Sequence, residues 1–284
     1  MGRLTSNAKA RIAVRTRLRR LLVARRPARL GTDDEALLGR VIDGIGNYHR
    51  LVCGSTPGAH LLERHGVMAA VMPATPEHSS LNAVVYEETN ALAAALDEIA
   101  ATYDEAGVKS WMVWVPVGDR EASKLLKRAG YQLNPNFTAM GRELQRFERP
   151  VNTLEEWTSA GDPAALAAIA DPAGSVLGPP FMRAFSNLPH AEARVYLASL
   201  DRRPVSCFLT SDKDGNCAVD VVATRPEARG RGLASALLGQ ALADAAERGC
   251  VTTTLVSSLE AKSLYKGVGY RALCPLLRWE RLPR

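Results

Sequence analysis

Between Cys217 and Gly249 the sequence CAVDVVATRPEARGRGLASALLGQALADAAERG gathers three arginines and two glycines at one junction. Ala218 to Ala223 is a short, β-branched apolar run of the kind that forms a buried strand, and Pro226 breaks it. From Leu233 the apolar residues fall at helical spacing, Leu233 with Leu237 and Ala234 with Leu238 and Leu242. Gly249 stands where such a helix would stop. Gly230 and Gly232 let the backbone come close to a ligand, and the first helical turn leaves its N–H groups without intrahelical acceptors. A terminus of that kind attracts phosphate, and Arg225, Arg229 and Arg231 add cations beside it. The chemistry that fits is a cradle for a diphosphate. It is neither of the two common nucleotide loops: no Gly-Lys-Ser/Thr closes it, and Ser235 occupies a position where G-x-G-x-x-G needs glycine. A solvated turn has the same composition, so the loop alone leaves both readings open.

Arg229, Gly232 and Ala234 resemble the Arg/Gln-x-x-Gly-x-Gly/Ala signature of the GNAT superfamily of N-acetyltransferases. Ser258, Ala261, Leu264, Tyr265, Gly269 and Tyr270 are similar to the Asn-x-x-Ala-x-x-Leu-Tyr-x-x-x-Gly-Phe stretch that follows it, with Ser258 departing from the usual Asn. The resemblance implies an acetyl-CoA-dependent N-acetyltransferase acting on a primary amine of a small molecule or peptide. It implies coenzyme contacts at Val222, Ala223, Thr224, Arg229, Gly230, Arg231, Gly232, Leu233, Ala234, Ser258 and Ala261. Val222 to Thr224 would pair with the pantetheine amides as an added strand does, and a backbone N–H near Val222 or Ala223 would serve the oxyanion. Tyr265, by its place in the motif, is the expected acid for the departing thiolate, and a phenol stays protonated at neutral pH.

Asp220 is the candidate base. In a regular strand its side chain shares a face with Val222, two residues on, and would point into an acceptor cleft; a salt-bridged or capping acid remains the other reading. Glu260, His190 and a water relay are further options. No cysteine stands in a nucleophile setting, so direct attack in a ternary complex is expected. Two readings of other classes stay open: a non-catalytic acyl-CoA sensor, against which Tyr265 argues, and an aminoacyl transferase on a tandem fold of this type, against which the complete loop argues.

The elements that must position these groups follow from the rest of the chain. With 284 residues, 46% of them apolar, the chain can bury two cores rather than one. No apolar run is long enough for a membrane span. Cys53, Cys207, Cys217, Cys250 and Cys274 form no C-x-x-C pair and read as buried thiols in a reducing cytosol. The five histidines are too scattered for a metal site, so no metal is expected. The formal charge of +6 is uneven, because residues 1–30 hold nine Arg and one Lys with no acid. The rest is nearly neutral, which excludes a uniformly basic nucleic-acid binder. The first thirty residues read as a basic extension: amphipathic arm, transit peptide or frayed end.

Strands are expected at Met68–Pro73, Asn82–Tyr86, Ser110–Pro116 and Phe137–Leu144, with helices from Asp33 through Asn47, over Glu88–Ala106 and over Asp119–Ala129. The order strand, long helix, strand, short helix, Gly-aromatic, strand then recurs after residue 217. Setting Gly130-Tyr131 against Gly269-Tyr270 fixes an offset of 139 residues. Ala122 then falls on Ala261, Asp119 on Ser258 and Leu126 on Tyr265, while the loop positions fall on Asn90 to Ala95, which contain no glycine. The pattern predicts an internal duplication: an α/β (α+β) protein of two GNAT-like domains, each a mixed, mostly antiparallel sheet flanked by helices. Residues 31–148 would be a degenerate copy and residues 149–284 the coenzyme-binding one, joined near Gln145–Gly161. Three antiparallel strands (Arg194–Leu200, Pro204–Ser211, Asn216–Thr224), a strand at Val251–Val256, a helix at Leu259–Gly267 and a closing strand at Ala272–Arg281 complete the second copy. Short helices at Ala164–Ala170 and Phe181–Leu188 would border the acceptor pocket, with Phe181, Met182, Phe185 and His190 as candidate lining. The expected partners are acetyl-CoA and the amine acceptor, in a cytoplasmic monomer or homodimer.

Overall fold

A computed structural model describes residues 34–145, 147–170, 187–189 and 192–283. The basic extension, the Phe181–Leu188 helix apart from its last two residues, and the pocket candidates Phe181, Met182, Phe185 and His190 lie outside the described residues. The described chain runs α1 (Asp34–Ser55), β1 (His60–Arg64), β2 (Val67–Val71), β3 (Ala83–Tyr86), α2 (Thr89–Glu105), β4 (Trp111–Pro116), α3 (Arg120–Arg128) and β5 (Gln132–Glu143). It continues through β6 (Glu156–Thr158), α4 (Pro163–Ala170), β7 (Ala193–Leu200), β8 (Arg203–Lys213), β9 (Asn216–Thr224), α5 (Leu233–Glu247), β10 (Thr252–Ser258), α6 (Lys262–Gly267) and β11 (Arg271–Arg281). The elements expected within the described residues are present, and three features were missed. Helix α1 extends two turns beyond Asn47, β1 precedes β2 as a hairpin, and the stretch expected as linker contains the edge strand β6.

The strands form one sheet in the order β1-β2-β3-β4-β11-β5-β10-β9-β8-β7-β6. Apart from β6, exchanging each of β1 to β5 with β7 to β11 turns this order into its reverse, as a two-fold relation between the halves requires. The halves meet through exchanged strands. β11, the last strand, lies between β4 and β5 of the first half, and β5 lies between β11 and β10 of the second.

Alternate residues of the strands feed two layers. On one face α2 and α3 cover the first half through Leu92, Leu96, Ile99 and Leu126, packed on Ala69, Val71, Val113 and Val115. On the same face α5 covers the second half, with Leu237, Leu238 and Leu242 on Cys217, Val219, Phe208 and Leu255. On the other face α1 lies across the seam. Its Val41, Ile42 and Ile45 pack on Ala83, Met112, Ala139 and Leu276, and its Tyr48, Val52 and Cys53 belong to the cluster holding Met72, Leu166 and Leu209. Close approach needs Gly44, where an added Cβ would lie 3.1 Å from the Ala218 Cβ.

Candidate active site

β9 pairs in parallel with β10 only from Asn216 to Val219, opposite Thr252 to Leu255. Beyond Leu255, β10 continues along β5 while β9 continues along β8, so the two diverge. The β9 edge facing this gap therefore has no ladder partner among the described residues from Asp220 onward, which leaves room for an extended ligand ahead of Thr224, whose carbonyl accepts from Arg229. The divergence coincides with a bulge: Leu209 faces Asp220 and Cys207 faces Ala223, so two β9 residues oppose Phe208. Val221 in the bulge has φ 56°, the left-handed region that β-branched residues avoid, at a cost of about 1–3 kcal/mol.

The bulge corrects one expectation. Asp220 and Val222 do not share a face. Val222 packs on the α5 side, whereas Val221 and Ala223 pack on the opposite side with the Tyr48 cluster, where Asp220 lines a cavity. The inserted residue reverses the alternation, which spacing alone cannot reveal.

That cavity, about 320 Å³, lies between α1 and the sheet where the halves join. Eight of its twelve lining residues precede residue 138, among them Tyr48 and His49 of α1, Trp114 of β4 and Phe137 of β5; the others are Asp220, Val221, Val256 and Arg278. The wall of this cavity thus comes mainly from the half that lacks the Gly-Arg loop, where the sequence offered no signal. Three polar atoms in this wall are sealed from solvent without a hydrogen-bond partner among the described residues: Asp220 Oδ2, His49 Nδ1 and Arg278 Nε. Burial pushes the Asp220 carboxyl from 3.8 up to about 7, into the range of a working general base. Burial pushes His49 down to about 4, so it is neutral at physiological pH.

Tyr265, on α6, is buried and packs edge-on against Tyr270 at 6.0 Å between ring centroids. Burial raises its phenol above the usual 10, and the Asp220 charge adds to the shift. Burial likewise raises Tyr48, again with a contribution from Asp220. The carboxylate of β9 and the phenol of α6 are thus electrostatically coupled.

At the far end of β9, Gly230 and Gly232 adopt φ 75° and 76° with open space where a side chain would be. Gly232 is the N-cap of α5 and no side chain caps the helix, so the amides at Leu233 and Ala234 are left for a ligand. Arg229 donates from Nε to the Thr224 carbonyl at 3.1 Å, tying the loop to the strand, and Arg231 is exposed. Arg225 instead donates Nε to the Pro204 carbonyl, a bond that holds β8. Thr224 shares a 2.9 Å hydrogen bond with Ser206, and the Ala223 carbonyl accepts from the same serine. Ser258 Oγ accepts from the Ala261 amide at 3.4 Å, which positions the start of α6. These residues fit a diphosphate and an extended arm: close-approach glycines, an uncapped helix terminus, neighbouring cations and an unpaired strand edge occur in sequence.

The equivalent place in the first half is closed. Asp119, at the position of Ser258, caps α3 through Ala122 N and accepts from Tyr86 Oη at 3.0 Å and Thr89 Oγ1 at 2.6 Å. A carboxylate at this position repels phosphate.

Residues 148–270 match the model of the acetyltransferase (GNAT) family. The matched segment holds β7 to β10 and α5, the open loop and Tyr265. No curated protein matches the chain. Among solved structures it is similar to a GCN5-related N-acetyltransferase from Kribbella flavida, with 17% identity, a TM-score of 0.60 and coverage of 85% of this chain and 95% of that one. It is also similar to a GCN5-related N-acetyltransferase from Sphaerobacter thermophilus (18%, 0.55, 77% and 78%). A tandem GNAT protein from the clavulanic acid biosynthesis pathway matches at 12% identity and a TM-score of 0.55, over 84% and 94% of the two chains. The likeness in fold thus extends well beyond the matched family segment. The GNAT family and fold support acyl transfer, and no helix among the described residues is long and apolar enough to cross a membrane.

Proposed function

We propose that the protein is an N-acetyltransferase that moves an acetyl group from acetyl-CoA to a primary amine held in the cavity between the halves. The observation that carries this reading is the junction of an unpaired β9 edge, an open Gly-Arg loop and a cavity whose wall presents an unpartnered carboxylate. Residues 149–284 act as the coenzyme-binding copy, and residues 31–148 as a copy that has lost its loop and supplies most of the acceptor wall. Arg229, Gly230, Arg231, Gly232, Leu233 and Ala234 receive the diphosphate. Val222, Ala223 and Thr224 offer backbone groups to the pantetheine arm, while Ser258 and Ala261 shape the opposite wall.

In the reaction the amine nitrogen forms a bond to the thioester carbonyl and the carbon–sulfur bond breaks. Asp220 takes the proton the nitrogen loses, a task that suits a carboxyl titrating near 7. Tyr265, kept protonated by burial, gives its proton to the departing thiolate. Free coenzyme A and an N-acetylated amine result. None of the five cysteines lines the cavity, consistent with direct transfer.

Thiol release from acetyl-CoA across a panel of amines tests the reading, with Tyr265→Phe run beside the wild type. The expected result is unchanged coenzyme A affinity with turnover reduced by ~10²–10³-fold. Unaffected turnover would remove Tyr265 from the mechanism. Tight acetyl-CoA binding with no thiol release from any amine would favour the sensor instead.

A further inference from the structure

The acceptor cavity has an apolar wall through Ile45, Leu81, Met112, Trp114, Phe137 and Val256, and polar groups at Tyr48, His49, Ser80, Asp220 and Arg278. Asp220 on β9 marks the end nearest the coenzyme strand. Arg278 on β11 lies away from it, three strand steps across the sheet (about 14 Å) and, through the register Val256–Ala139–Cys274, four residues farther along it (about 13 Å). The guanidinium of Arg278 lies over the Phe137 ring at 4.6 Å and pairs with Glu280 at 3.3 Å, and Ser79 Oγ donates to the other Glu280 oxygen at 2.6 Å. Glu280 does not line the cavity, yet it neutralises the one cation that does. The Arg278 Nε–H is covered and has no acceptor among the described residues, so in this electrically balanced pair it is a donor that a ligand oxygen meets once the guanidinium turns toward the cavity.

From this balance we propose that the acceptor is a small amine on a largely apolar frame whose far end is an uncharged carbonyl-type oxygen, and that Glu280 sets this choice by neutralising Arg278. The inference rests on the acyl-transfer reading and deepens it. A free carboxylate at that end would place a second anion beside Glu280 in an apolar surround, where unbalanced charge is strongly disfavoured. A second ammonium, as in a polyamine, would face the guanidinium. A carbonyl oxygen accepts from Nε–H without altering the charge. A frame ending in hydrocarbon leaves that donor unpaired, which costs discrimination in the manner of any buried unmatched donor.

A matched trio that differs only at the end remote from the amine separates these cases: 4-(2-aminoethyl)benzamide, phenethylamine and 4-(2-aminoethyl)benzoate, measured by thiol release and by calorimetric binding to the coenzyme A complex. The wild type should favour the amide over phenethylamine by ~10-fold or more and turn over the benzoate least. Arg278→Met should abolish the preference for the amide over phenethylamine. Glu280→Gln, which uncovers the cation, should raise the benzoate relative to the amide by a similar factor. Comparing ratios between variants cancels remaining differences in amine basicity. A wild type that prefers the benzoate, or ratios unmoved in both variants, would overturn the proposal. Were no amine to release thiol, the acyl-transfer reading would fail, and the order of binding of the three ligands to the wild type would still decide this one.

Discussion

Replacing Asp220 by Asn should make the protein a poorer catalyst and a more stable fold, with both effects tied to pH. The native carboxyl titrates near 7 rather than 3.8 because burial disfavours its charged form. Between those values the native state holds a proton that the unfolded chain has already released. Ionising Asp220 therefore costs stability, and this contribution grows as pH rises from about 4 through 7. The full shift corresponds to about 4 kcal/mol, and water reaching the half-buried residue reduces this to about 2 kcal/mol. Asp220→Asn should match the wild type in denaturant titrations at pH 4 and exceed it by about 2 kcal/mol at pH 8. In kcat/KM the wild type should gain about tenfold between pH 6 and 8 as a base of pKa near 7 ionises. The variant should lose that limb along with ~10²-fold or more in rate. A variant that is less stable at pH 8, or that keeps the wild-type pH profile, would refute both the burial of this charge and its role as base.

Gly232→Ala adds a Cβ that meets nothing within 4 Å, so its cost comes from forcing φ 76° on an L-residue, about 1 kcal/mol. Calorimetry should show coenzyme A binding at least ~5-fold weaker, and unchanged affinity would remove this turn from the coenzyme site. Gly44→Leu drives a side chain against Ala218 and should lower stability by about 2 kcal/mol in chemical denaturation. Because α1 carries Ile45, Tyr48 and His49, this variant should raise KM for the amine more than for acetyl-CoA. An equal effect on both would separate the cavity from acceptor binding.

The strand–loop–helix junction was legible because its signals are local: Pro226 ends a strand, Gly230 and Gly232 open the turn, and Leu233 starts a helical period. Tyr265 was legible through its fixed distance from Ser258 and Gly269, and the 139-residue offset anticipated the two-fold order of the strands. Three things were decided only in three dimensions. The bulge at Val221 turns Asp220 away from the face it would share with Val222 in a regular strand, because one inserted residue reverses every later side chain and leaves no mark in composition. The placement of β11 between β4 and β5 depends on pairing across more than 120 residues, which no local pattern encodes. The cavity follows from that exchange: His49, Trp114, Phe137 and Arg278 lie far apart in the chain, with no shared period, and become one wall only when α1 lies across the joined halves.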